Sequence, residues 1–225
     1  MTTRLPRLPR PAARPLLPAA ARRMAVAVMC ACVAVTAVLG VWFRNQARAG
    51  WLDRAVDLRL QSGLAGHWAA LDALADFGQP LLVTTMSVAL ALAYLATRKR
   101  RGAVLVAVAV PAAGALTEYV LKPLTGRTLG GYLSYPSGHS TAVFALAAAV
   151  AVLLADPDRP RLPAAVRAVI AFAAFLAASA VTVAVVAMNS HYFTDTVGGA
   201  GVGIAVVLVT ALILDRIGSP RRRAD

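Results

Sequence analysis

Charged residues are scarce in this sequence, and acidic residues are the scarcer kind. Only 15% of the 225 residues are charged, and 10 Asp and Glu stand against 23 Lys and Arg. No cluster of carboxylates suited to holding Mg²⁺ or Zn²⁺ is visible. The sequence therefore predicts no metal ion and no other cofactor.

Cysteine is almost absent as well. The two cysteines, Cys30 and Cys32, both lie inside an apolar run. A C-x-C pair without histidine or further cysteine partners is a poor signal for a metal site. We interpret both as packing residues.

Apolar residues, by contrast, make up 59% of the chain, and the mean hydropathy is +0.68. A soluble domain has roughly 45–50% apolar residues, so this composition is typical of a membrane protein. A net charge of +13 is also found in nucleic-acid-binding proteins. Here, however, the basic residues lie at the ends of apolar runs, where membrane orientation places them, and we predict no nucleic-acid partner.

Six apolar segments have about the length of 17–25 residues that spans a bilayer. The sequence predicts an all-α membrane protein in which these segments form a six-helix bundle over residues 24–216. The Pro- and Arg-rich segment 1–23 and the basic segment 217–225 are predicted to be tails, the first of them disordered. The first apolar run is too long for a signal peptide, although Ala47-Arg48-Ala49 resembles a cleavage site. The predicted spans lie near 24–43, 79–97, 102–121, 139–155, 164–188 and 197–215.

Basic residues divide unevenly between the two faces that these spans create. Seventeen lie on the side of the two termini and six on the other side. By the positive-inside rule both termini are cytoplasmic, and we expect a multi-pass protein of the plasma membrane. The outer connections are then 44–78, 122–138 and 189–196. The first repeats apolar residues at helical spacing and predicts one or two amphipathic helices on the outer surface.

Three groups of reactive residues fall in these outer connections or beside them. Pro136, Ser137 and Gly138 are typical of a capped helix start whose free N–H groups bind an anion, and His139 stands at its edge. The same pattern also occurs in a capped transmembrane helix with an interfacial histidine.

The second group is His191 and Asp195, whose i,i+4 spacing suits a carboxylate that orients a nucleophilic or basic imidazole. An ordinary helix-start pair has the same spacing. The third group is Lys122 and Arg127, two cations that can clamp phosphate oxygens or can snorkel at a helix end. Glu118 lies four residues before Lys122 and either neutralises it or lies in the polar cavity of the site. Together the groups supply what phosphoryl transfer without a metal requires.

These residues resemble the motifs of the type-2 phosphatidic-acid phosphatase superfamily, integral-membrane relatives of the vanadium haloperoxidases. The family pattern is K-x6-R-P, P-S-G-H and S-R-x5-H-x3-D. The second motif is complete at 136–139, the H-x3-D half of the third is present at His191 and Asp195, and Lys122 begins the first. The similarity covers about residues 50–215.

Two arginines of the family pattern are missing. Leu129 stands seven residues after Lys122, and Val185 stands six residues before His191. Arg127 matches a second basic residue often seen inside the first motif. We therefore expect the phosphate to be held by Lys122, Arg127 and the backbone around Ser137 and Gly138.

The resemblance implies that His191 attacks phosphorus to form a phosphohistidine, which Asp195 stabilises. His139 would protonate the leaving oxygen and then activate water. The implied function is hydrolysis of a lipid phosphate monoester or a polyprenyl pyrophosphate at the outer face, with membrane lipids as surroundings. The alternatives are a phosphotransferase on the same scaffold and a non-catalytic lipid-phosphate binder.

Overall fold

The computed structural model describes residues 15–155 and 162–218, and within them the chain is all-α except for one short hairpin. The prediction of an all-α chain is confirmed. The hairpin is formed by β1 (Thr128–Leu129) and β2 (Tyr132–Leu133), which pair antiparallel. The helices are α1 (Ala19–Trp42), α2 (Trp51–Leu64), α3 (Trp68–Asp76), α4 (Pro80–Ala96), α5 (Arg100–Leu116), α6 (Lys122–Thr125), α7 (Gly138–Leu154), α8 (Ala164–Ala187) and α9 (Phe193–Gly218).

Each predicted apolar run coincides with a long helix. In chain order the runs correspond to α1, α4, α5 with the turns that follow it, α7, α8 and α9. The largest difference is at the start of α1, which begins at residue 19 and not at the predicted residue 24. The predicted amphipathic stretch is helical too, as α2 and α3.

Four of the described helical segments are long and apolar enough to cross a membrane: α1, the continuous segment 100–125, α8 and α9. The pair α3–α4, bent by 47°, is a fifth candidate. Helix α7 has 17 residues, which corresponds to about 26 Å against a hydrocarbon core of about 30 Å. The described helices thus give four or five candidate spans, and the count of six stays a prediction.

The N-terminal side of α1 differs from the predicted tail. Leu16 and Leu17 are buried, and their N–H groups donate to the carboxylate of Asp215 at 2.6 and 3.0 Å. The last part of the segment predicted as a disordered tail is therefore packed. The rest of that tail (1–14), the connection 156–161 and most of the C-terminal tail (219–225) lie outside the described residues.

Helix α7 lies at the centre of the bundle, packed against α5, α8 and α9. Its sequence is rich in alanine, so neighbouring backbones approach closely. At Gly203 of α9, a Cβ would lie 2.5 Å from the carbonyl oxygen of Thr141. This close packing fixes the start of α9 beside the start of α7.

The segment that begins as α5 continues past its α-helical end. A π-helical turn spans Thr117–Leu121, α6 follows, and Gly126 ends the helix with a left-handed φ of 64°. A π-turn shifts the register of the residues after it, and such turns are frequent at functional sites. Here it places Glu118 and Lys122 at the same end of the bundle as the starts of α7 and α9.

Candidate active site

Ser137 caps α7, as the sequence predicts. Its side chain accepts from the N–H of Ser140 at 3.4 Å, and its carbonyl accepts from the N–H of Thr141 at 3.0 Å. Within the described residues, the N–H groups of Gly138 and His139 have no hydrogen-bond partner. The start of α7 therefore offers two free donors together with the positive end of the helix dipole.

Lys122 lies at this helix start. Its Nζ is 2.8 Å from the Glu118 carboxylate, and its side chain is 15% exposed. A Cβ on Gly138 would contact the Glu118 carboxylate and lie 4.0 Å from Lys122 Nζ. Lys122, which begins the first motif, thus lies beside the P-S-G-H motif, and the carboxylate of Glu118 partly neutralises its charge.

The two histidines come from separate parts of the chain and face each other. The ring centroids of His139 and His191 are 6.1 Å apart, with the rings inclined at 65°. His139 is in the first turn of α7, and His191 lies in the turn before α9 and is buried. Two imidazoles at this separation can reach opposite sides of one phosphoryl group.

Asp195 stands next to His191, in the first turn of α9. Its Oδ2 lies 3.8 Å from Nδ1 of His191, within ion-pair distance but longer than a hydrogen bond. The same oxygen accepts from the N–H of Tyr192 at 3.1 Å. The Asp195 carbonyl accepts from the N–H of Ser137 at 2.9 Å, which ties the starts of α7 and α9 together.

Nδ1 of His191 is buried and has no hydrogen-bond partner among the described residues. Oδ1 of Asp195 already accepts a hydrogen bond from Arg127. Oδ2 is therefore the oxygen of this carboxylate that is placed to accept from Nδ1 of His191. Such bonds at catalytic sites are often long in the absence of substrate.

Arg127 occupies a different place from the one expected. Its side chain is fully buried, and its guanidinium lies between two aromatic rings, 3.8 Å from the centroid of Phe43 and 4.2 Å from that of Tyr192. Nη1 donates to Asp195 Oδ1 at 2.6 Å, and Nη2 donates to Asp53 Oδ2 at 2.6 Å. The expected role of Arg127 as a phosphate clamp does not fit this geometry, because its charged end is enclosed by protein.

Asp53 and Asp57 on α2 are two buried carboxylates at the start of α9 that sequence reasoning missed. Asp53 is completely buried: Oδ1 accepts from the N–H of Thr194 at 2.9 Å and Oδ2 from the N–H of Gly50 at 3.0 Å. Asp57 Oδ1 accepts from the N–H of Phe193 at 3.1 Å. The signal was their spacing of four, which puts both carboxylates on one face of the helix.

The pKa values of these two carboxyls move in opposite directions. Burial alone would raise the pKa of Asp53, but hydrogen bonds from the N–H of Thr194 and from Arg127 outweigh it and hold the pKa below its ordinary value. Burial, together with the nearby charges of Asp53 and Asp195, raises the pKa of Asp57 to about 6. One turn of helix therefore separates a firmly ionised carboxylate from one that titrates near neutrality.

The positions of the missing arginines are filled without a cation. Val185 is 1% exposed and packs with Leu71 and Ala75 of α3. Leu129 lies in β1, opposite Tyr132. Arg54, an arginine of α2, donates to the carbonyl of Ala49 at 2.8 Å. In the part of the chain that is described, no group of three or more His, Cys, Asp or Glu is arranged to hold a metal ion.

The family model of the PAP2 superfamily matches residues 111–218. The match spans Lys122, the P-S-G-H motif, His191 and Asp195, and it leaves out α2. No curated protein and no solved structure matches the chain.

Proposed function

The chain belongs to the PAP2 superfamily, whose members are generally phosphatases, and on this premise we propose that it hydrolyses a lipid phosphate monoester or pyrophosphate through a phosphohistidine. The observation that carries the proposal is the approach of His139 and His191, 52 residues apart in the chain, to a ring-centroid distance of 6.1 Å. The N–H groups of Gly138 and His139 and the ammonium of Lys122 adjoin this pair. A phosphoryl group carries the negative charge that these N–H donors and this ammonium bind.

In the first half of the reaction, Nε2 of His191, the ring nitrogen that does not face Asp195, donates its lone pair to phosphorus, and the bond from phosphorus to the lipid oxygen breaks. His139, protonated, gives its proton to that oxygen. Asp195 stabilises the imidazolium that forms on His191. Lys122 and the start of α7 hold the other phosphoryl oxygens, on which the negative charge is spread.

In the second half, His139 accepts a proton from water as the water oxygen attacks phosphorus. The bond between His191 and phosphorus breaks, and phosphate leaves. The two histidines thus return to their starting protonation states. All phosphoryl contacts in this scheme come from the N–H groups of α7 and from Lys122, because Arg127 is enclosed.

The reaction is proposed to occur at the outer face of the plasma membrane, with six spans and both termini inside. The unequal distribution of basic residues supports this orientation. Tyr132, in the hairpin beside the site, is 82% exposed. In a variant with Cys30 and Cys32 changed to Ala, Tyr132→Cys should react with an impermeant thiol reagent in intact cells. Arg98→Cys, in the exposed turn before α5, should react only after lysis, and the reverse pattern would invert the orientation.

A lipid panel tests the chemistry. Detergent-solubilised protein is given phosphatidic acid, phosphatidylglycerol phosphate and a polyprenyl pyrophosphate with EDTA present, and released phosphate is measured. His191→Ala should abolish release and the acid-labile phosphoenzyme. The matched control is His67→Ala, since His67 is the third histidine of the chain and is exposed.

A non-catalytic lipid-phosphate binder is the second candidate, because Val185 is packed into an apolar cluster and the cation of Arg127 is enclosed by protein. Binding of these lipids without phosphate release in the wild-type protein would favour it. Transfer of phosphate to an added alcohol would identify a phosphotransferase.

A further inference from the structure

We propose that Asp53, on a helix outside the family match, is a positioning residue that acts through Arg127 on Asp195 and thereby on the nucleophile His191. The proposal rests on the function proposed above. It assigns to the outer helix α2 a part in the chemistry of a site whose reacting groups lie on other segments.

Asp53 is held by donors from three separate segments. Oδ1 accepts from the N–H of Thr194, and Oδ2 accepts both from the N–H of Gly50 and from Nη2 of Arg127. Its side chain has no exposed surface, so bulk water does not compete with these donors. Its orientation is therefore fixed by the fold before any substrate binds.

Arg127 transmits this orientation. Its two terminal nitrogens donate to Asp53 and Asp195, each at 2.6 Å, while Cζ of the guanidinium lies 3.8 Å from the centroid of Phe43 and 4.2 Å from that of Tyr192. A planar fork held in this way leaves its terminal nitrogens little freedom. By occupying Oδ1 of Asp195, Arg127 leaves Oδ2 as the oxygen that faces Nδ1 of His191.

The charge of this cluster explains why a second carboxylate is needed. Arg127 with Asp195 alone would be a neutral pair, and such an Asp195 would give less stabilisation to an imidazolium on His191. Asp53 adds one negative charge, so Arg127 with its two carboxylates carries a net charge of −1. That charge favours the cationic form of His191 that the reaction creates.

Asp53→Asn removes the charge at nearly constant size. We expect kcat to fall roughly 10- to 100-fold, the usual range for a group in an outer shell of a site. KM for the anionic lipid should stay equal or decrease, since the site gains one positive charge. The rate of phosphoenzyme formation should fall with kcat. Asp53→Glu, which keeps the charge, should recover part of the loss.

The matched control is Asp57→Asn. Asp57 lies one turn further along the same helix and is also buried against the start of α9, but it hydrogen-bonds to the N–H of Phe193 and not to Arg127. We expect its kcat to stay within about threefold of the wild-type value. A merely structural role for this face of α2 would affect both variants alike.

The outcomes separate the two proposals. An active wild-type protein with equal losses in Asp53→Asn and Asp57→Asn, or with a raised KM and unchanged kcat in Asp53→Asn, would overturn the role of Asp53 alone. A wild-type protein without phosphate release or phosphoenzyme would overturn the proposed function, and the role of Asp53 with it. If Asp53→Asn does not fold, the comparison rests on Asp53→Glu, which keeps the charge at position 53. A kcat loss below about 10-fold in Asp53→Glu would support a role for that charge, and a larger loss would overturn it.

Discussion

The two ends of α9 each carry a buried carboxylate bound to arginine, yet they do different things. Asp195 lies in the first turn and Asp215 near the last, about 30 Å apart along the helix axis. Asp195 binds Arg127 at 2.6 Å. Asp215 lies 3.8 Å from Arg101 and 3.9 Å from Arg22.

What separates the two ends is the chemistry of the other neighbours. Asp195 has an imidazole within 3.8 Å, and a helix start with two free N–H donors adjoins that imidazole. Asp215 accepts from the N–H groups of Leu16 and Leu17, and so fastens the segment before α1 to α9. Burial and ion pairing alone therefore indicate a contact that holds two segments together. A reaction becomes possible where a titratable group and free N–H donors lie next to such a contact.

The largest expected contrast comes from neutralising the two carboxylates in turn. Asp195→Asn should lower kcat roughly 10³- to 10⁴-fold, as happens when the aspartate that orients a catalytic histidine is replaced. Asp215→Asn should leave kcat within about threefold but destabilise the protein by about 1.5–3 kcal/mol, since it weakens the hydrogen bonds from the N–H groups of Leu16 and Leu17 to a buried carboxylate. Steady-state kinetics measures kcat, and thermal unfolding in detergent measures the loss of stability. A similar loss of kcat in both variants would erase the distinction between the ends.

A second contrast uses packing instead of charge. A Cβ at Gly78, in the turn between α3 and α4, would lie 2.9 Å from Cδ2 of His139 and 2.9 Å from Cγ1 of Val181. The Cβ of Gly78→Ala therefore presses on both the imidazole and Val181, and a displacement of the imidazole of about 1 Å can lower a rate up to about 100-fold. We expect kcat to fall about 10-fold or more, and to fall further with substrates that have poor leaving groups, because those depend on the acid.

Two glycines serve as controls for this experiment. Gly66, in the same outer connection, has open space where a Cβ would be, so Gly66→Ala should change neither kcat nor stability. A Cβ at Gly102, at the other end of the bundle, would meet the ring of Tyr94 and lie 2.9 Å from Cδ2 of Leu153. Gly102→Ala should therefore lower stability, and its kcat should not depend on the leaving group. A leaving-group dependence in Gly102→Ala would show that Gly78 reports general loosening of the bundle.

The helices and the caps were predictable from the sequence because they depend on neighbours in the chain. Long runs of Ala, Val and Leu have few alternatives to a helix, and Ser137 caps α7 through a bond to a residue three positions away. The co-location of Lys122, His139 and His191 followed from the alternation of spans. For these features a local pattern carries the information.

The fate of Arg127 was not predictable in this way. Its partner Asp53 lies 74 residues earlier in the chain, and no spacing within either segment links the two. The amphipathic pattern of α2 drew attention to its apolar positions, whereas the structure turns Asp53 and Asp57 inward. Val185 shows the same limit, because its packing against α3 depends on how two distant helices dock.

The smallest expected effect is on the pH dependence of stability. It distinguishes the carboxylates of Asp53 and Asp57, which both accept hydrogen bonds from the start of α9. Burial and the charges of Asp53 and Asp195 raise the pKa of Asp57 from 3.8 to about 6. The folded state therefore binds this proton more tightly than the unfolded state does, and the stability that protonated Asp57 contributes is lost as pH rises from about 4 to about 6. Asp57→Asn should be as stable as wild type at pH 4 and more stable at pH 8, by about 1–2 kcal/mol. Asp53, whose pKa is lowered, should show the opposite sign. Thermal unfolding of both Asn variants across this pH range tests the pair, and a destabilised Asp57→Asn at pH 8 would mean that its bond to the N–H of Phe193 needs the full negative charge.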